Sequence, residues 1–209
     1  VYQLPQVLVK QGFNQKILKK LNLPGTPLKF SDWQNLVKKI KAPKKHQLTL
    51  AVVGKYFATG DYHLTDSYAA LFDAIQHAAI HTHTQVTIKQ INSAAKPAEL
   101  TQKLAGIDAL VVPIGWGPRG VDAMLTAINY ARVNRIPFLG LCFGMQLAVV
   151  EFSRNVAKLI NAHSTEINPK TKYPVIHIIP KQERILKNRA YGGTMRLGAW
   201  DCLVKKNTL

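Results

Sequence analysis

One cysteine of this chain stands in a sequence context that could make it a nucleophile. Cys142 is the centre of the run Gly140-Leu141-Cys142-Phe143-Gly144. An apolar stretch that predicts a strand precedes the run, and a helical pattern begins at Phe143. Glycines two positions before and after the central residue permit a sharp strand-to-helix turn that lifts its side chain. The pattern is typical of a nucleophile elbow with cysteine as the attacking residue.

The predicted helix after Cys142 would assist its chemistry in two ways. Free N–H groups and the positive dipole end at a helix N-terminus favour the thiolate, which is the reactive form of cysteine. The backbone N–H of Phe143 could also donate to an oxyanion. The alternative is a buried cysteine with a packing role only, since cysteine is one of the most often buried residues.

A second glycine-rich segment, Pro113-Ile114-Gly115-Trp116-Gly117, follows the preceding apolar strand. Ligands of open α/β sheets bind at the carboxyl ends of strands, so strand ends near 113 and 141 would border one crevice. Glycines there let backbone N–H groups approach a developing oxyanion. By itself the segment is weak evidence, because an ordinary strand-to-helix turn has the same composition.

The elements that must position these segments are predicted by alternating apolar and helical patterns. Strands are predicted at 48–53, 85–91, 108–113 and 137–141, and helices at about 65–80, 97–104, 121–133 and 143–156. Weaker strand patterns follow at 174–179 and 195–204. Apolar strands that alternate with helices predict an α/β fold with a mostly parallel open sheet and helices on both faces.

The first 42 residues have a different texture and predict a short helical segment in front of the α/β domain. Apolar residues recur at helical spacing between Trp33 and Ile40, and Ser31-Asp32 predicts an N-cap. The helix is expected to end at Ala42-Pro43. We therefore divide the chain into a tail at 1–42, a linker at 43–47 and a domain at 48–209.

The charge of the chain is strongly basic and unevenly spread. The 209 residues include 28 Lys and Arg against 11 Asp and Glu, a net charge of +17. Residues 1–45 hold ten lysines and a single acid, Asp32. A nucleic-acid-binding module is conceivable on charge alone. No recognition motif accompanies the lysines, so a solvated face of amphipathic helices is favoured over nucleic-acid binding.

Composition also bounds the compartment and the metal chemistry. Hydrophobic residues make up 47% of the chain, which is enough for a packed core. Two cysteines without CxxC or zinc-type spacing predict neither a disulfide framework nor a metal site. No apolar run reaches the roughly 18 residues of a membrane span, and no secretory signal is recognisable. A cytoplasmic protein without a membrane partner is expected.

Several runs of the sequence, in the same order, resemble the glutaminase domains of the CTP synthase family. The longest extends from Asp108 to Val156 and includes both glycine-rich segments. Shorter blocks of resemblance lie at 52–56, 162–166, 174–176 and 192–199, and 1–42 resembles the end of the synthase domain with its linker. By this resemblance, which covers nearly the whole chain, the chain is identified as a class I, triad-type glutamine amidotransferase.

The resemblance implies a role for each matched residue. Cys142 matches the nucleophile that attacks the side-chain amide of glutamine, forms a glutamyl thioester and releases ammonia. Gln146 matches a residue that contacts glutamine, and Glu166 matches the carboxylate that holds its amino group. Gly115 and Trp116 lie in the loop that lines the glutamine pocket.

The resemblance implies partners for the full-length enzyme as well. Ammonia would pass to a synthase domain of the same enzyme, where UTP is activated by ATP with magnesium and aminated to CTP. GTP would act as an activator near the block 192–198, and the enzyme would be a homotetramer. No cofactor or metal ion is expected in this chain itself.

Two departures from the family pattern bear on activity. Ile114 stands where the family has glycine, at the position whose N–H is the other oxyanion donor, and its β-branch restricts the backbone and crowds the pocket. The family's catalytic His and Glu, and an Arg for the substrate carboxylate, have no match up to Leu209. The chain alone is therefore expected to be inactive. A degenerate, non-catalytic glutaminase-like domain that serves binding or assembly is the alternative.

Overall fold

The computed structural model describes residues 1–25, 28–59, 62–63, 66–179 and 206. Its elements in chain order are α1 Leu4–Lys10, α2 Phe13–Lys20, α3 Ser31–Lys41, β1 His46–Gly54, β2 Ala58–Thr59, β3 Tyr62–His63, α4 Ala69–His81, β4 Thr84–Asn92, α5 Pro97–Leu104, β5 Ala109–Val112, α6 Val121–Val133, β6 Phe138–Gly140, α7 Phe143–Asn155, β7 Ala162–Ser164 and β8 Tyr173–Ile176. The strand predicted at 195–204, the block 192–198 and Cys202 lie outside the described residues. No helix of the described ranges is long and apolar enough to cross a membrane.

The centre of the fold is a sheet of four parallel strands in the order β4-β1-β5-β6. The chain runs from β1 outward to β4 and then returns to the other side of β1 for β5. This reversal makes a topological switch point between β1 and β5, and in open α/β sheets a ligand crevice lies at the carboxyl ends of such strands. The predicted mostly parallel sheet is confirmed.

The second half of β1, residues 50–54, is buried on both faces, as expected for a parallel sheet covered by helices. Ala51 and Val53 join a core cluster that includes residues of α5, α6 and α7. Leu50 and Val52 join a second cluster, which packs against apolar side chains of α4. Because successive side chains of a strand point to opposite faces, this alternation places helices on both sides of the sheet.

The N-terminal segment is helical, but one predicted detail is wrong. Helix α3 begins at Ser31, its N-cap residue is Phe30, and no side chain caps it. The Ser31 hydroxyl instead donates to the carboxylate of Asp32 at 3.4 Å. Asp32 thus lies in the first helical turn, where a negative charge favours the helix dipole. The end of α3 before Ala42 agrees with the prediction.

Backbone hydrogen bonds extend β1 into the predicted linker. The strand begins at His46, which lies opposite Thr84 of β4. Just before it, the Lys45 N–H donates to the His83 carbonyl at 2.7 Å. Farther up the chain, the indole N–H of Trp33 donates to the Tyr2 carbonyl at 2.8 Å, and the Tyr2 hydroxyl lies 2.7 Å from Nε2 of His77 in α4. The N-terminal segment is therefore in contact with the α/β domain at α4.

Helix α7 approaches β5 so closely that its second residue has no room for a side chain. A Cβ built on Gly144 would lie 1.9 Å from the carbonyl oxygen of Val112 and 3.0 Å from its Cβ. The obstacle is backbone within the sheet, which cannot move aside as a flexible side chain could. Gly144 is therefore required by packing.

A buried carboxylate fastens α7 to α6. Glu151 is 2% exposed. Its Oε1 accepts hydrogen bonds from the side chains of Asn129 at 2.8 Å, Arg132 at 2.9 Å and Asn155 at 2.8 Å. Burial acts to raise the pKa of this carboxyl, but the hydrogen bonds from Arg132, Asn129 and Asn155 and the charge of Arg132 outweigh it and hold the pKa below its usual value.

Replacing Gly144 by alanine is expected to lower the free energy of unfolding by about 1–3 kcal/mol or more, because the new methyl group overlaps the Val112 carbonyl. Thermal unfolding of both proteins measures the effect. Gly25→Ala is the matched control, since a Cβ at Gly25 meets nothing within 4 Å and its φ is not positive. Equal stability of the two variants would contradict the packing constraint.

Replacing Glu151 by glutamine is expected to cost about 2–3 kcal/mol at neutral pH, since charge-assisted hydrogen bonds are lost in a buried place. The folded protein holds the Glu151 pKa below its unfolded value, so this contribution exists above the unfolded pKa. The stabilisation by the Glu151 carboxylate is lost as the pH falls through the pKa that Glu151 has in the folded protein. Urea unfolding at pH 7 and at successively lower pH should show the difference between the two proteins shrinking.

The control for this comparison is Glu99→Gln, because Glu99 is an exposed carboxylate that pairs with Lys103 at 2.5 Å on the surface of α5. Exposed pairs of this kind contribute little to stability. A difference between wild type and Glu151→Gln that stays constant from pH 7 into the acid range would show that the carboxylate charge is not what joins the helices.

Candidate active site

Cys142 occupies the turn between β6 and α7 in a conformation that non-glycine residues rarely adopt. Its φ is 52° and its ψ −102°, and it is the N-cap residue of α7. Its thiol is free and the residue is exposed. Strain of this kind costs on the order of 1–3 kcal/mol and persists where the surrounding structure enforces it. The backbone thus has the form of the predicted nucleophile elbow.

The two glycines that flank Cys142 are both needed for this turn. A Cβ on Gly140 would lie 2.6 Å from the Met145 nitrogen, and one on Gly144 would overlap β5. Backbone hydrogen bonds complete the turn, with the Gly144 N–H donating to Leu141 at 3.0 Å and the Gln146 N–H donating to Cys142 at 3.1 Å. Gln146, half-buried in the first turn of α7, is thereby held next to the cysteine.

Phe143 joins the elbow to the glycine-rich loop after β5. It is the first residue of α7, so the helix itself has no acceptor for its N–H. Its ring is buried, and a Cβ on Gly115 would lie 3.4 Å from Cδ1 of that ring. The Leu141 N–H donates to the Val112 carbonyl at 2.9 Å. The strand ends near 113 and 141 therefore lie side by side, and a ligand crevice between them stays a prediction.

Two tyrosine hydroxyls hold the loop of residues 113–117. The Tyr68 hydroxyl donates to the Ile114 carbonyl at 3.3 Å, and the Trp116 N–H donates to the Tyr56 hydroxyl at 3.2 Å. Trp116 is 63% exposed and Ile114 is 41% exposed. Ile114 does not have a positive φ, so the isoleucine adds no strain of that kind to the backbone. Crowding of a ligand by its side chain stays a prediction.

Glu166 is brought to the same loop from the segment between β7 and β8. Its Oε1 accepts a hydrogen bond from the Gly117 N–H at 2.8 Å. Its own N–H donates to the Ser164 hydroxyl at 3.2 Å. The carboxylate is exposed, so a ligand could also reach it. All the predicted site residues therefore lie on three neighbouring segments: the loop 113–117, the start of α7 and the turn at Glu166.

Lys55 belongs to this arrangement, although the sequence did not point to it. It directly follows β1 and is 1% exposed. Its Nζ donates to the carbonyl of Trp116 at 2.8 Å and to that of Gly117, and lies 4.2 Å from the centre of the Phe143 ring. The available signal was its place directly after a buried strand, at the edge where parallel-sheet ligands bind.

Burial changes the acid–base properties of two groups beside the loop. Burial lowers the pKa of Lys55 to about 8, opposed by the negative charge of Glu166 and assisted by the positive charge of Arg119. Burial also raises the pKa of Tyr68. The Tyr68 hydroxyl accepts a hydrogen bond from the Lys55 N–H at 3.1 Å, so the two groups are directly joined.

No histidine of the described ranges is hydrogen-bonded to Cys142. His163, the one nearest Glu166 in sequence, accepts a hydrogen bond at Nδ1 from the Ser164 N–H at 2.9 Å. Burial and the positive charge of Arg154 lower its pKa, against the charge of Asp122. Within the same part of the chain, no group of three His, Cys, Asp or Glu side chains could hold a metal ion.

Comparison with known sequences identifies a family and two relatives. The model of the family "Glutamine amidotransferase class-I" matches residues 63–198. A CTP synthase of Sulfurisphaera tokodaii is 43% identical over 210 residues, which cover 100% of this chain and 38% of that protein. A CTP synthase of Pyrococcus abyssi is 41% identical over 208 residues, 100% of this chain and 37% of that protein. The chain thus spans less than two fifths of the length of these relatives.

A solved structure agrees with the fold. The glutaminase domain of Trypanosoma brucei CTPS, with bound acivicin, matches with a TM-score of 0.58 and 34% sequence identity. The match covers 65% of this chain and 52% of that one. The chain therefore belongs to the class I glutamine amidotransferase family, and within that family it is similar to the glutaminase domains of CTP synthases.

Proposed function

We propose that this chain is the glutamine-hydrolysing part of a CTP synthase, which supplies ammonia for the ATP-dependent amination of UTP to CTP. The observation that carries the proposal is the exposed Cys142 in its strained turn at the start of α7, beside a loop that also holds Glu166. Similarity to CTP synthases along the whole chain supports the CTP-forming reaction. In this proposal residues 1–42 are the C-terminal part of the synthase domain, and residues 43–47 are the linker between the domains. Residues 48–209 belong to the amidotransferase domain.

In the proposed reaction, the Cys142 thiolate attacks the side-chain amide carbon of glutamine. The negative charge that develops on the amide oxygen is stabilised by the backbone N–H groups of Phe143 and Ile114. The C–N bond then breaks, the leaving nitrogen takes up a proton and departs as ammonia, and a glutamyl thioester remains on Cys142. Attack of water on the thioester gives glutamate and restores the thiol.

The substrate is held by the groups around Cys142. Glu166 binds the α-amino group of glutamine through its carboxylate, while Gly115 and Trp116 line the pocket and Gln146 contacts the substrate. An acidic carboxylate is suited to an ammonium group because the hydrogen bond is charge-assisted on both sides. Support comes from the trypanosomal glutaminase domain, which has acivicin bound.

Within the described residues, no histidine is hydrogen-bonded to Cys142 to take its proton and pass it to the leaving nitrogen. We therefore propose that this chain alone is inactive and that the complete enzyme supplies a group that takes the thiol proton and donates a proton to the leaving nitrogen. The complete enzyme would also bind UTP, ATP with magnesium and the activator GTP, and would act as a homotetramer.

A second candidate function is a non-catalytic domain that binds glutamine or mediates assembly. It is favoured by Ile114, which places a bulky, 41% exposed side chain next to the predicted oxyanion donor. The two candidates differ in whether ammonia is released.

Cys142→Ala is expected to abolish ammonia release from glutamine, because no thioester can form without the thiol. We would measure ammonia for this chain alone and for the full translated product of its gene. Activity is expected only in the full product. Cys202→Ala serves as the control cysteine variant and should retain activity. Ammonia release that survives Cys142→Ala would refute the nucleophile assignment.

Ile114→Gly is expected to raise glutamine hydrolysis by the full translated product, by up to about 10²-fold, since one oxyanion donor is worth that much or more. The measurement is kcat/KM for ammonia release. Ile160→Gly is the matched control, because Ile160 is an isoleucine with 77% exposure outside the site. A rate that does not change in Ile114→Gly would show that the isoleucine does not obstruct the oxyanion position.

A further inference from the structure

We propose that Lys55 is a positioning residue for substrate recognition: its buried side chain orients the Trp116–Gly117 peptide and thereby holds Glu166 where it meets the amino group of the substrate. This inference rests on the proposed function, since it concerns the glutamine site. It assigns to a lysine at the end of β1 a part in selecting α-amino acids over similar molecules that lack the amino group.

The geometry of one peptide unit carries the argument. The Trp116 carbonyl accepts a hydrogen bond from Nζ of Lys55 at 2.8 Å. The Gly117 N–H, on the other side of the same peptide, donates to Oε1 of Glu166 at 2.8 Å. The described peptides are not cis, and in a planar trans peptide the C=O and N–H point in opposite directions. Lys55 and Glu166 therefore hold the two ends of one rigid group.

Hydrogen bonds to its backbone and packing around its side chain hold Lys55 in one position, so it can orient the loop. Its carbonyl accepts a hydrogen bond from Arg119 at 2.9 Å, and its N–H donates to Tyr68 at 3.1 Å. A Cβ on Gly115 would lie 3.2 Å from Cδ of the lysine, so the aliphatic stem passes directly beneath the loop. The ammonium also lies over the ring of Phe143, where a cation–π attraction adds to the hold.

The place of Lys55 in the fold explains why a charge is buried there. The residue follows β1 at the switch point, with β5 and its loop as direct neighbours. An apolar residue could fill the same space but could not satisfy two carbonyl groups. Burying an ammonium costs free energy, and a natural protein tolerates such a cost mainly where the group has a task.

The charge on Lys55 is sensitive to pH near neutrality. Burial lowers its pKa to about 8, and the charged or titratable groups around it are Glu166, Arg119, Tyr68 and Tyr56. As the pH rises through 8, the ammonium loses its proton and its hydrogen bonds to the loop weaken. Recognition of the amino group by Glu166 should then weaken also.

The test uses two chloroketones that differ only in the amino group, 2-amino-5-chloro-4-oxopentanoate and 5-chloro-4-oxopentanoate. The Cys142 sulfur forms a bond to the chlorine-bearing carbon, and chloride leaves with the bonding electrons. The ratio of the two labelling rates isolates the contribution of the amino group, because thiolate formation affects both reagents equally. Rates are measured on the whole chain by mass spectrometry.

Lys55→Met is expected to lower the labelling ratio by about 10–100-fold, the scale expected for displacement of a binding group by about 1 Å. Labelling by the reagent without the amino group should fall by a smaller factor than labelling by the amino reagent. Lys89→Met is the matched control, since the Nζ of Lys89 also donates to a backbone carbonyl, that of Ala105 at 3.1 Å, on an exposed part of the sheet. An unchanged ratio, or an equal loss with both reagents, would overturn the proposal.

A double-mutant cycle tests whether Lys55 acts through Glu166. Glu166→Gln alone should lower the ratio, and adding Lys55→Met should lower it no further, because both changes remove the same contact. If the double variant lowered the labelling ratio by the product of the two single-variant factors, Lys55 would not act through Glu166 and the proposal would be overturned. If wild type itself shows no preference for the amino reagent, the proposed glutamine site fails and the role of Lys55 fails with it.

The pH dependence provides a test that does not require the methionine variant to fold. In wild type the labelling ratio should fall with a midpoint near pH 8. In Lys55→Arg the guanidinium stays charged over this pH range. The labelling ratio of this variant should therefore fall with pH only as far as deprotonation of the reagent's own amino group makes it fall. Identical pH profiles for the two proteins would exclude titration of Lys55 as the cause.

Discussion

The closeness of α7 to β5 is the constraint on which the rest of the site depends. The first turn of the helix lies against the Val112 carbonyl with space for hydrogen only at position 144. This contact fixes where the helix begins, and the helix start forces the unusual backbone angles of Cys142. The same approach brings Phe143 against the glycine-rich loop, so the thiol and the loop are placed together by backbone packing.

Residues at the end of β1 and before α4, across the switch point from α7, also contact the loop after β5. The carbonyl groups of Ile114, Trp116 and Gly117, in the loop after β5, accept hydrogen bonds from residues outside α7. The Nζ of Lys55 donates to the Trp116 carbonyl, and the Tyr68 hydroxyl donates to the Ile114 carbonyl. Glu166 closes the arrangement at the opposite face of the loop. The fold thus provides the candidate nucleophile, Cys142, at the end of one strand. The groups that support the loop come from the end of β1, from Tyr68 before α4 and from the turn after β7.

Sequence patterns predicted the parts of this structure in which local signals and tertiary packing agree. Helices α5 and α6 have the predicted bounds, since Pro97 and Gly120 mark their starts. The elbow was predictable because glycine spacing reports backbone crowding. Lys55 was not, because a lysine normally indicates an exposed position, and its burial depends on a loop about sixty residues away. The N-cap at Ser31 was mispredicted because Ser31 bonds to its neighbour Asp32.

The strained turn at Cys142 has a consequence for how such a domain diverges. The turn is enforced by glycines and by the sheet, and the thiol contributes nothing to that enforcement. A descendant protein that no longer needed a reactive thiol could therefore replace Cys142 without disturbing the turn. Replacement by glycine would raise the free energy of unfolding, because glycine adopts a positive φ without strain. The flanking glycines would persist, because the packing would still demand them. Retained glycines in a descendant therefore record its ancestry, whereas the residue between them records whether selection for catalysis has continued.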